Sequence, residues 1–61
     1  MEITLKDKAV KLIAENLGDI TAKSYANFYM DKNDEVVKSS VVELLTEVIG
    51  EKKAKEKTEF L

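Results

Sequence analysis

The stretch Asp34–Ile49, DEVVKSSVVELLTEVI, decides the fold class. Set on a helix at about 100° per residue, Val37, Val41, Val42, Leu44, Leu45, Val48 and Ile49 fall within an arc of about 160°. Glu35, Ser39, Ser40, Glu43, Thr46 and Glu47 fill the opposite side. Two residues break the pattern: Val36 lies on the polar face and Lys38 inside the apolar arc. The lysine can lay its stem along the core edge and keep its ammonium in water. Strict alternation fails at Val36-Val37, Val41-Val42 and Leu44-Leu45, so a strand is the poorer reading. β-branched valine lowers helix propensity slightly, but a 3.6-residue period over four turns outweighs it. The spacing predicts a core helix over 34–49.

Toward the N-terminus, Thr4 suits an N-cap, with Asp7 placed to close a short-armed capping box. Leu5, Ala9, Val10, Leu12, Ile13 and Leu17 then share a face of about 160°. Lys6 is the one charge inside it. Gly18 follows the last apolar residue, where a left-handed position costs glycine nothing. A helix is expected over 5–17. Asp19 is expected to cap the next, over 20–30, whose apolar residues Ala22, Tyr25, Ala26, Phe28, Tyr29 and Met30 sweep about 200°. So broad a face predicts two packing partners, hence a central helix in the bundle. Because tyrosine and methionine are enriched at interfaces, Tyr25, Phe28, Tyr29 and Met30 are also the candidate interaction residues.

Asp31, Lys32, Asn33 and Asp34 form a polar connector. Asp31 and Asn33 have the first spacings of a calcium loop, but the sixth position is Val36 where glycine is needed and the twelfth Val42 where glutamate is needed. Asp31 or Asn33 is read instead as the helix N-cap. Beyond Gly50, EKKAKEKTEFL favours a short fourth helix over about 51–60. Glu51–Lys55, Lys52–Glu56 and Lys55–Glu59 pairs support it, and Ala54, Thr58 and Leu61 can face a core. No internal repeat is evident along the chain.

The expected architecture is therefore all-α, a single domain over 1–61 built as a small bundle of three helices plus a short fourth. A chain of 61 residues buries only about 60 % of its unfolded surface, so association is a natural source of further stability. Disulfides and thiolate metal sites are excluded, since the chain has no cysteine, and histidine is absent too. The cysteine-free composition fits a reducing cytoplasm. No apolar run approaches the ~20 residues that span a bilayer, so a membrane is not an expected partner. The share of Lys and Glu leans toward a thermophilic source.

Chemistry finds little to work with. Nucleophilic catalysis needs an activated Ser, Cys or Thr beside a base, commonly histidine. Ser24 adjoins Lys23, but neighbours on a helix do not face one another. The two glycines read as helix stops rather than as a phosphate loop. The Glu43 and Glu47 carboxylates read as a solvated face. No enzyme activity and no cofactor are expected. With ten cations against twelve acids, net charge −2 and every cation a lysine, nucleic acid is a disfavoured partner. The alternative function is a small helix-turn-helix-like DNA-binding regulator, with Gly18-Asp19 as the turn and Lys23 and Asn27 reading bases.

Ile13, Leu17-Gly18-Asp19-Ile20-Thr21-Ala22, then Glu43-Leu44-Leu45 with Ile49, and finally Phe60-Leu61, resemble a small helical accessory domain of prokaryotic signalling and regulatory proteins. That domain carries a Leu-Gly-Pro-Ile-Ala type of motif, a Glu-Leu-Leu helix and a closing Phe-Leu. The likeness covers about three quarters of the chain. Asp19 stands where the motif has proline, and Thr21 is an insertion before Ala22. The resemblance implies an accessory interaction module without catalytic residues. Together these readings predict a non-enzymatic protein–protein interaction or self-association module, a homodimer or the partner of another protein.

Overall fold

The computed structural model of the chain describes residues 4–59 and residue 61. Four α-helices follow one another: α1 Leu5–Leu17, α2 Asp19–Tyr29, α3 Asp34–Ile49 and α4 Glu51–Thr58. α1 packs on both α2 and α3, and α4 packs on α3. The chain is thus two helical hairpins joined through their first helices. The expectation that α2 is central is corrected: the long helices α1 and α3 hold the middle. The broad apolar face of α2 is shared between the core, through Ala22 and Tyr29, ring contacts of Tyr29 with Tyr25 and Phe28, and solvent.

Local chemistry places each helix end. Thr4 Oγ1 accepts from the Asp7 amide at 3.2 Å and Asp7 Oδ2 accepts from the Thr4 amide at 3.3 Å, closing the capping box as the sequence predicts. Asn33 Oδ1 accepts from the Val36 amide at 3.0 Å, so Asn33 is the N-cap of α3. The second helix starts one residue earlier than expected, because Gly18 does two jobs. Its N–H donates to Ala14 O at 3.0 Å and its C=O accepts from the Ala22 amide at 3.1 Å. Asp19 is therefore the first helical residue and not a cap. Gly50 repeats the arrangement, donating to Thr46 O at 3.0 Å and accepting from the Ala54 amide at 2.9 Å. Both glycines leave the ordinary left-handed helix-end geometry: φ is +92° and ψ 163° at Gly18, +91° and 156° at Gly50. That region is open essentially to glycine alone.

The core holds Ala9, Leu12, Ile13, Ala22, Tyr29, Val37, Val41, Leu45 and Ala54. From the α3 stretch that decides the fold, Val37, Val41 and Leu45 are wholly covered, while Val48 at the arc edge is 44 % exposed. Of the breaks in pattern, Val36 and Lys38 are both exposed. The fourth helix docks through Ala54 and Thr58. Thr58 is buried, and its hydroxyl donates to Ala54 O at 2.7 Å, so no polar atom is left unmatched there. A radius of gyration of 10.6 Å equals the value of about 10.5 Å for a folded chain this long, which leaves no room for a trailing fourth helix. The helix ends at Thr58 rather than near 60, and Phe60 lies outside the described residues. None of the three lysine–glutamate pairs expected along α4 closes among the described residues. The fourth helix is held by its buried face.

The architecture exposes an internal likeness that is not evident from the sequence alone. Gly18 and Gly50 stand 32 positions apart, and that displacement superposes Lys6 on Lys38, Val10 on Val42, Leu12 on Leu44 and Glu15 on Glu47. It continues with Ala22 on Ala54, Lys23 on Lys55 and Phe28 on Phe60. Core pairs follow the same rule: Ala9 with Val41, Ile13 with Leu45 and Ala22 with Ala54 are buried in both halves. Between identical positions the apolar residues are exchanged for others of like character, which hides the repeat from inspection but preserves the burial pattern.

Candidate functional site

The four candidate interaction residues occupy two environments. Tyr29 is wholly buried, so it cannot itself present to a partner. Tyr25 is half-buried and packs at the core edge. Phe28 is 50 % exposed and Met30 75 % exposed. Helical geometry accounts for the split: Tyr25 and Tyr29 are one turn apart on the face toward α1 and α3, whereas Phe28 and Met30 lie to either side of Tyr29.

Three aromatic rings tie the two environments together. Tyr29 has ring centroids 5.7 Å from Tyr25 and 5.6 Å from Phe28, tilted by 48° and 55°, within the favourable range for such pairs. Lys32 Nζ sits 5.2 Å from the Phe28 centroid, close enough for a cation–π contact. It also pairs with Asp31 at 3.6 Å. Beneath them, Tyr29 Oη is 2.9 Å from Ser40 Oγ, the hydrogen bond that ties the end of α2 to α3. Lys6 Nζ donates to Met30 O at 3.3 Å and ties the same end to α1.

Burial pushes the Tyr29 phenol above the usual tyrosine value, partly offset by the Ser40 hydrogen bond, with the neighbouring Tyr25 raising it further. The neutral phenol is then favoured by folding. Its stabilisation is complete below the unfolded value of about 10 and is lost as pH rises through the higher folded value. Wild type should therefore lose stability above about pH 10. Tyr29→Phe should show a flatter loss there, at a cost near neutrality of about 0.5–1.5 kcal/mol for the missing hydrogen bond. Urea unfolding at pH 7 and at pH 11 checks both.

Val36, 43 % exposed, joins Phe28 on the outside. The two share a shallow groove between α2 and α3 with Glu35, Ser39, Ser40 and Glu43. The result is an apolar strip with an acidic, hydroxyl-bearing margin. Periodicity marks Val36 only as an exception on the polar face, so its place in this surface is not legible from the sequence. Ile20, at the start of α2, is 84 % exposed.

Lys23 and Asn27, the residues that the DNA-reading alternative would use, are both exposed. Gly18 alone separates α1 from α2, whereas a helix-turn-helix uses a turn of about three or four residues. Among the described residues, no group of three or more acidic side chains is placed to hold a metal ion. Nor is any described helix long and apolar enough to cross a membrane. No family model matches the chain, and no curated protein or solved structure matches it significantly.

Proposed function

We propose that this chain is a non-enzymatic interaction module that self-associates through the Phe28/Met30/Val36 edge. The observation that supports this reading is the exposure of three large apolar side chains at one end of the molecule: Phe28 and Met30 at the end of α2, Val36 in the first turn of α3. Large exposed apolar groups rimmed by polar ones are the usual mark of an interaction surface. A standard interface takes about 800 Å² from each partner, a substantial part of the 4530 Å² surface. Phe28 and Val36 are then its centre, with Met30 at its margin and Glu35, Ser39 and Glu43 as a wet rim.

Sedimentation equilibrium over a hundredfold range of concentration tests the reading, on wild type and on Phe28→Ser/Met30→Ser. The expected result is a wild-type dimer that the double substitution dissociates, with the far-ultraviolet helical signal retained. A wild-type monomer at every concentration overturns self-association. Steep, salt-dependent binding to arbitrary duplex DNA would instead favour the regulator reading.

A further inference from the structure

We propose that the two hairpins, residues 5–29 and 34–58, exchange between copies, so that α1–α2 of one chain docks on α3–α4 of another. This goes beyond the edge dimer and does not require it, since it remakes in trans the α1–α3 contact already present within one chain. Exchange of a like element between protomers is an accessible route to dimers.

Three observations carry the inference. First, each half is a unit of the same design: a capped long helix, a glycine that ends one helix and begins the next, and a short helix docked by an alanine. Gly18 with Ala22 and Gly50 with Ala54 occupy matching places. The contact between the halves is therefore a contact between two versions of one unit. Second, among the described residues the halves are held chiefly by the packing of α1 on α3, with the Tyr29–Ser40 hydrogen bond beside it. A second copy can supply all of these unchanged.

Third, the connector between α2 and α3 is short, and its first residue is already helical. Met30 has φ −51° and ψ −40°, an ordinary helical conformation, and its side chain is 75 % exposed. Asn33 is extended, with φ −80° and ψ 168°, and its side chain holds that bend by capping α3. Drawing Asp31, Lys32 and Asn33 together into helical conformation would merge α2 and α3 into one long helix and carry the second hairpin away from the first. What opposes this is the cap on Val36 and the contacts of the closed form.

Asn33→Ala removes the cap and favours the straight connector, shifting the balance toward the exchanged form by about fivefold per chain, the usual worth of such a cap. The test places Asn33→Ala in the full chain on the Phe28→Ser/Met30→Ser background, where the edge dimer is disabled. The protein is refolded from denaturant at high concentration, diluted, and its mass followed by sedimentation velocity. The expected result is a species of twice the 6.9 kDa chain that persists after dilution and returns to monomer slowly, because the hairpins must separate first. A monomer at every refolding concentration overturns the proposal. So does a dimer seen with Asn33→Ala alone and abolished by the edge substitutions, which would leave the edge reading intact.

Discussion

Tyr29→Ala is expected to cost about 3–5 kcal/mol, the range for truncating a buried aromatic residue. A domain of this size has roughly 3–9 kcal/mol in total, so the substitution removes between about a third and all of it. The physical reasons add up at one side chain. Tyr29 is wholly buried, packs against the rings of Tyr25 and Phe28, and bonds Ser40 across to α3. Truncation opens a cavity at the junction of the hairpins and leaves the Ser40 hydroxyl without that partner. Urea unfolding followed at 222 nm reads the loss. A change below about 1 kcal/mol would show that the ring is not part of the core. The same arithmetic bears on the interaction surface: a charge at Tyr29 would unfold the chain and so could not separate core from interface. Phe28 and Met30 can, because their exposed sides are what a partner would meet.

Helix positions were legible because they rest on local chemistry. The heptad-like spacing of α3, the Thr4–Asp7 box and the two glycine stops each depend on residues within a turn or two of one another. What the sequence could not order was the packing of helices. Composition made α2 look central, since its apolar residues wrap more than half its circumference. Aromatic residues, however, satisfy one another along a single helix, and Tyr25, Phe28 and Tyr29 do so. The candidate surface was half legible for a related reason. Periodicity grouped Tyr25, Phe28, Tyr29 and Met30, but whether a side chain on a wide arc faces inward depends on where the neighbouring helix sits. Val36, already on the polar face by periodicity, joined this surface only once the end of α2 was seen beside the first turn of α3. The internal repeat stayed hidden because its identities are sparse. Its regularity lies in burial.

Gly18→Ala and Gly50→Ala are expected to destabilise by similar amounts, about 1–3 kcal/mol each, through the backbone alone. At both positions a Cβ would meet nothing within 4 Å, so crowding contributes nothing to the cost. What remains is the φ near +92° and ψ near 160° that each glycine adopts to end one helix and start the next. The two costs should match because the two hairpins are versions of one unit, and they should add, since the glycines serve separate hairpins. Together they would remove about 2–6 kcal/mol, enough to unfold much of the population. A D-alanine at either position provides the control. Its preference for positive φ fits these sites, and it narrows the unfolded ensemble, so D-alanine should be tolerated or stabilising by a few tenths of a kcal/mol to about 1. Chemical synthesis puts a 61-residue chain within reach of that experiment, with urea midpoints as the readout. If L-alanine and D-alanine cost the same at Gly18, backbone strain is not what the glycine relieves, and the backbone account of how both glycines end one helix and start the next fails.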